Sequence, residues 1–158
     1  MATGKTVTGK MLAKQLGYEF VDTDELIVRR SGMSVAEIFK KKGEAAFRRL
    51  ERELAEELGE KEGLIISTGG GLMLDPVNAS ALSRGGRIFC LVAAPEEIFN
   101  RVSNDKQVKR PLLDVENPMR HIVEMLKQRE EGYGRFRQIV TSGKTPDEVT
   151  QNILDILF

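Results

Sequence analysis

An α/β fold with a mainly parallel sheet is what this sequence predicts, and three observations predict it. Short apolar runs alternate along the chain with longer helix-type patterns, the order that successive βα units produce. Two of those runs, "LIIST" and "RIFCLVAA", are mostly apolar, as strands covered on both faces are. The chain has 158 residues, 41% hydrophobic and 30% charged, which suits one domain with a real core.

The elements follow in order. Lys5 to Leu16 reads as a helix opening directly from "TGKT", with Met11, Leu12 and Leu16 as core positions and Gly17 as its stop. "YEFVDTD" is a short strand running into acidic residues, and "DELIVRRSG" a helix ending at Gly32. "SVAEIFKKKG" begins with Ser34 as N-cap and Glu37 three residues on, a capping box. "EAAFRRLERELAEELGEKEG" is a strong helix with Phe47, Leu50, Leu54 and Leu58 towards one face. "LIIST" is a buried-type strand that ends in three glycines. "DPVNASALSRGG" is a short helix and turn, and "RIFCLVAA" the most strand-like run in the chain. "PEEIFNRVSN" starts a helix with proline in its first turn. The polar, proline-broken "DKQVKRPLLDVENP" reads as a mobile loop. A helix over "MRHIVEMLKQREEGYGRF", a strand at "RQIVTSG" and a closing helix over "TPDEVTQNILDILF" complete the chain.

Charge narrows the function. Lys and Arg number 24, as do Asp and Glu, so the basic excess of a nucleic-acid or membrane-surface binder is missing. A local basic pocket for a small anion is still compatible. No apolar run approaches the roughly 20 residues that span a bilayer, and the first twenty residues carry lysines rather than a signal-type apolar core. A single cysteine, Cys90, leaves no intrachain disulfide and is read as core; His121 is read as a surface helix residue. No Cys/His cluster suggests zinc.

Six groups of residues can carry chemistry. Gly4-Lys5-Thr6 is the tail of G-x-x-x-x-G-K-[ST], the turn whose backbone N–H groups and following helix face phosphates. The leading glycine of that pattern would precede residue 1. Alone the tripeptide also reads as chance, but an amphipathic helix follows it directly. Asp22 and Asp24 close an apolar strand, where residues i and i+2 face one side. The pair can hold a cation and orient a hydroxyl, or form an acidic junction with Asp24 capping the next helix. In "FRRLE" one arginine can turn to the apolar side of its helix and grip a carboxylate bidentately. Gly69, Gly70 and Gly71 exceed what a turn needs and permit close approach to the backbone at a strand's C-terminal end. Arg110 in "KRPLL" is either an exposed loop residue or a cation brought in by a moving segment. Arg129 and Tyr133, one helical turn apart, offer a second anion grip.

Taken together and in this order, "TGKT", "GYEFVDTDELI", "GMSVAEIFKKKGEAAFRRLE", "ISTGGG", "KRPLL" and "LKQREEGY" resemble shikimate kinases over essentially the whole chain. "DTD", "FRRLE" and "GGG" carry that resemblance more specifically than any phosphate loop. It implies a three-layer α/β/α P-loop kinase of the nucleoside-monophosphate-kinase type, with a parallel sheet in the order 2-3-1-4-5. It implies one domain over 1–158, with a substrate-binding helical region at about 25–55 and a mobile lid at about 104–118. The implied reaction moves the ATP γ-phosphoryl group to the 3-hydroxyl of shikimate, giving shikimate 3-phosphate in aromatic amino-acid (chorismate) biosynthesis. The implied enzyme is a cytoplasmic monomer using Mg²⁺, with no nucleic-acid or membrane partner.

The resemblance also implies roles. Thr3, Gly4, Lys5, Thr6 and Val7 would form the phosphate loop, Lys5 binding the transferring phosphate and Thr6 ligating Mg²⁺. Asp22 would support the metal through water; Asp24 would hold the shikimate hydroxyls and act as base. Arg48 and Arg129 would clasp the carboxylate, with Glu51 fixing Arg48 or the substrate. Gly69, Gly70 and Gly71 would let the ring lie on the backbone, beside Phe39 and Phe47. Arg110 would be the lid arginine, and Arg101, Lys144 and Pro146 the adenine-side wall.

The opening departs from the family, since strand 1 of the sheet is missing ahead of Gly4. Met1 is therefore expected to mark an internal methionine or an artificial boundary, and the chain as written to be destabilised with an incomplete loop. Two other readings stay open: a gluconate-kinase-like sugar-acid kinase, and a truncated, catalytically weak module that keeps the shikimate pocket without holding ATP.

Overall fold

The computed structural model describes residues 2–104 and 115–158. They form two compact units, one of residues 9–88 and the other of residues 2–8, 89–104 and 115–158. Helix α1 (Lys5–Leu16) begins in the latter and ends in the former.

In the Gly9–Ile88 unit, β1 (Glu19–Asp22) and β2 (Leu64–Ser67) pair in parallel, Glu19 opposite Leu64 and Asp22 opposite Ser67. Asp22 also caps α2 (Thr23–Ser31), its Oδ1 accepting from the N–H groups of Asp24 and Glu25. Gly32, at φ +66°, closes that helix in the left-handed region where glycine is at ease. The expected capping box opens α3 (Val35–Lys42): Glu37 N–H donates to Ser34 Oγ at 3.2 Å, and Ser34 N–H to Glu37 Oε2 at 2.9 Å.

Helix α4 (Glu44–Gly59) buries Phe47, Glu51, Leu54 and Leu58 along one stripe, in steps of four, three and four residues. Leu50, expected on that stripe, is only half-buried. The helical angle puts position 50 on the flank and position 51 nearer the centre, so an acid takes the place expected for a leucine. After β2 a short 3₁₀ turn (Leu72–Leu74) buries Leu72 and Met73 ahead of α5 (Pro76–Gly85). The glycine run and the turn after it give no apolar period, so the sequence does not signal this element.

In the other unit, β3 (Phe89–Val92) and β4 (Arg137–Val140) pair in parallel, Phe89 opposite Arg137 and Val92 opposite Val140. Ile98 and Val102 of α6 (Pro95–Asn104) meet Ile122 of α7 (Pro118–Gly134) in a core that Ala2, Phe99 and Leu126 flank. Helix α8 (Pro146–Leu157) packs on β4, burying Val149 and Ile153 on its inner side. Cys90, read as core, is half-buried on β3, and burial pushes its thiol pKa up. The expected order 2-3-1-4-5, with strand 1 set aside, contains the neighbours 2-3 and 4-5, and these are the pairs β1–β2 and β3–β4.

Candidate active site

Parallel pairing of β1 with β2 sends both chains out at the same end, so "DTD" and "STGGG" emerge side by side. The ladder stops at Asp22–Ser67, and one side-chain bond continues it: Gly69 N–H donates to Thr23 Oγ1 at 2.8 Å. Asp24 is thereby set against Gly69 so closely that a Cβ on the glycine would lie 2.9 Å from Asp24 Cγ. Gly71 stands in the same relation to Arg48: a Cβ there would lie 2.5 Å from its Nη1. Two of the three glycines thus make room for an anion and a cation held against bare backbone.

The two-carboxylate geometry differs from the expectation. Asp22 is the last strand residue and Asp24 already lies in α2, so the i, i+2 alternation of a strand does not relate them. Asp22, rather than Asp24, caps the helix.

Arg48 owes its place to α4. Its Nη1 donates to Glu51 Oε2 at 2.7 Å and its Nη2 to Glu44 Oε1 at 3.2 Å. Glu51 is 1% exposed. Burial pushes its carboxyl above the ordinary glutamate range, Arg48 pulls it back, and the charges of Asp24 and Asp75 push it up again. Phe47 packs on Phe39, ring centroids 5.0 Å apart, and the Arg48 guanidinium carbon lies 5.7 Å from the Phe47 ring centroid. Arg52 Nη2 donates to Asp75 Oδ2 at 2.7 Å, tying α4 to the cap of α5 just beyond the glycines. Neither Thr23 nor this brace was singled out from sequence. A hydroxyl between two acids carries no periodic signal, and the brace spans 23 positions.

In the other unit, Thr3 is buried and Gly4 has φ +88°, turning the chain into α1 at Lys5. Thr8 N–H donates to Gly4 O at 3.0 Å, and Thr6 and Val7 are exposed on that first turn. Arg101 donates to Ala2 O at 3.1 Å, to Thr141 Oγ1 at 3.2 Å and O at 3.1 Å, and pairs with Glu97. Its guanidinium edge is committed to these bonds, which leaves its face for stacking on a planar group. Lys144 is exposed in the turn between β4 and α8, Pro146 is exposed at the first position of α8, and Arg129 is half-buried on α7. Arg110 and most of the expected 104–118 lid lie outside the described residues.

Among the described residues no group of three or more His, Cys, Asp or Glu side chains forms a metal cage. Also among the described residues, no helix is long and apolar enough to cross a membrane.

A glycine-lysine-threonine turn at a helix N-terminus, parallel strand pairs, and a carboxylate and guanidinium placed against glycines at strand ends define a phosphate-loop kinase for a small anionic substrate. The family pattern described as "Shikimate kinase" matches residues 1–158. The shikimate kinase of Thermodesulfovibrio yellowstonii is 43% identical over 155 residues, covering 98% of this chain and 88% of that one. That of Thermus thermophilus is 40% identical over 159 residues, covering 100% and 86%. The solved structure of the shikimate kinase from Acinetobacter baumannii in complex with shikimate is similar at TM-score 0.88 and 35% identity, over 99% of this chain and 88% of that one. The enzyme from Bacteroides thetaiotaomicron gives TM-score 0.87 at 31% identity, over 99% and 93%. The chain belongs to the shikimate kinase family, and its fold class is that of an α/β phosphate-loop kinase.

Proposed function

We propose that this chain transfers the γ-phosphoryl group of ATP to the 3-hydroxyl of shikimate, and that the residues assembled above divide the work. The observation that carries this reading is the pairing of Asp24 with Gly69 and of Arg48 with Gly71 at one pair of strand ends. A small ring bearing both hydroxyls and a carboxylate needs such an arrangement: an acceptor, a fixed planar cation and backbone it can touch.

Arg48 grips the carboxylate bidentately, held for that task by Glu51. Arg129 adds a second cation, and Phe39 and Phe47 form the apolar side. Asp24 takes hydrogen bonds from the ring hydroxyls and receives the proton of the 3-hydroxyl as its oxygen bonds to phosphorus and the bond to ADP breaks. Because such transition states are loose, positioning and charge stabilisation matter more than early deprotonation. Lys5 draws the transferring phosphate to the N-terminus of α1, where Thr3, Gly4 and Val7 shape the turn. Thr6 and Asp22 are the residues that would hold Mg²⁺, which would supply neutralisation of phosphate charge. Arg101 stacks on adenine, alongside Lys144 and Pro146, and Arg110 supplies positive charge to the transferring phosphate. The whole chain works as a single kinase domain, a monomer in the cytoplasm, with no nucleic-acid or membrane partner.

A coupled assay of ADP release with shikimate and with gluconate at equal concentrations tests the substrate. Turnover with shikimate at least a hundredfold above gluconate is expected; equal or reversed rates would sink the assignment.

A further inference from the structure

We infer that Thr23 is a positioning residue for the shikimate site: its buried hydroxyl sets the height of the Gly69–Gly71 wall against Asp24 and Arg48. The inference rests on the substrate assignment above and adds a residue to it. Thr23 is 0% exposed, lies between the two acids of "DTD", and accepts the Gly69 N–H at 2.8 Å across 46 positions of chain. Two features raise this contact above ordinary satisfaction of a buried amide.

The first is its place. Backbone pairing of β1 with β2 ends at Asp22–Ser67, so Gly69 lies past the last ladder partner. Its N–H still requires an acceptor, and the Thr23 hydroxyl meets that requirement from the neighbouring strand's exit. The second is clearance. Gly69 and Gly71 approach Asp24 and Arg48 so closely that neither position has room for one added carbon. A small slip of the glycine segment away from α2 therefore widens the gap that a ring must fill, and a slip towards it pushes the carboxylate aside. Either slip separates the acceptor from the guanidinium by a different amount than the substrate requires, and misplacement of about an ångström is enough to cost large factors in rate or affinity.

Thr23→Val keeps the branched shape and removes the acceptor; Thr23→Ser keeps the acceptor and trims a methyl. With the full chain, Thr23→Val is expected to raise KM for shikimate at least tenfold while KM for MgATP stays within twofold. Thr23→Ser is expected to stay within threefold of the parent for both. The Gly69 amide, bonded to Thr23 Oγ1 in the parent, is expected to exchange with deuterium at least tenfold faster in Thr23→Val than in the parent. An unchanged KM for shikimate, or equal rises in both KM values, overturns the inference and leaves Thr23 as core packing. Should Thr23→Val not fold, Thr23→Cys, a weaker acceptor of similar size, is expected to raise KM for shikimate alone, and its failure to do so is equally decisive. Absence of shikimate turnover in the parent would instead strike the substrate assignment, which keeps the two failures apart.

Discussion

Glu51 sits on α4 where the periodicity calls for an apolar side chain, and Arg48 is the group that makes an acid tolerable there. Its raised pKa has consequences of opposite sign for binding and for stability. As pH falls through the raised folded value, Glu51 takes up a proton and Arg48 loses its charged anchor. KM for shikimate is therefore expected to rise on acidification at a higher pH than an unperturbed glutamate would give. Stability runs the other way. The folded chain holds this proton more tightly than the unfolded chain, so stability falls as pH rises from the ordinary glutamate range to the raised value. Glu51→Gln is expected to raise KM for shikimate roughly tenfold at neutral pH, the worth of one charge-assisted hydrogen bond, and to remove both trends. Profiles of KM and of thermal midpoint against pH, for parent and variant, check both signs; an acid limb that survives in Glu51→Gln belongs to another group. The site was partly legible at this scale. "FRRLE" placed an arginine and an acid together, but only the burial of α4 shows that Arg48 turns to Glu51 while Arg49 stays exposed.

Elements were legible wherever a local device sets them. Ser34 with Glu37, Gly32 after α2 and Pro95 at the start of α6 each act within one turn, so sequence alone placed those boundaries. The relation of Asp22 to Asp24 was not legible, because it depends on where β1 stops and α2 starts, and Asp22 itself decides that by capping. Helix crossings were not legible either. Gly59, the last residue of α4, faces α5 so closely that a Cβ would lie 2.9 Å from the Ala81 carbonyl carbon. Two glycine substitutions separate this architectural role from the functional one. In Gly59→Ala the obstacle is backbone, which cannot swing aside, and a loss of about 2 kcal/mol or more is expected with KM for shikimate unchanged. In Gly71→Ala the obstacle is the end of the Arg48 side chain. It can move, so stability is expected to change by less than about 1 kcal/mol while KM for shikimate rises roughly tenfold or more. Denaturant unfolding and steady-state kinetics on both variants read the contrast, and a matching pattern in the two would dissolve it.

At the scale of the whole molecule, the order of helices and strands was readable because each strand run is followed by a helical pattern with its own stop signal. Pairing was readable only through the resemblance, since parallel partners lie dozens of residues apart and nothing in β1 names β2. The function proposed here draws on both compact units: Asp24 and Arg48 belong to one, Lys5 and Arg129 to the other. That division yields a test by ligand linkage. A ligand that binds only the folded chain stabilises it by about 2.7 kcal/mol at a concentration of 100 Kd. Shikimate at that concentration is expected to give the parent this increment. Arg48→Met and Arg129→Met, each removing one of the cations proposed to bind the carboxylate, are expected to lose most of it at the same shikimate concentration. Lys5→Met is expected to keep it, because the role proposed for that lysine is with the nucleotide, while turnover drops by about 10²-fold or more. Unfolding curves with and without shikimate for all four proteins decide the matter. Retention of the full increment in Arg129→Met would confine shikimate binding to the Gly9–Ile88 unit, and its loss in Lys5→Met would mean that the phosphate turn and the shikimate site cannot be perturbed separately.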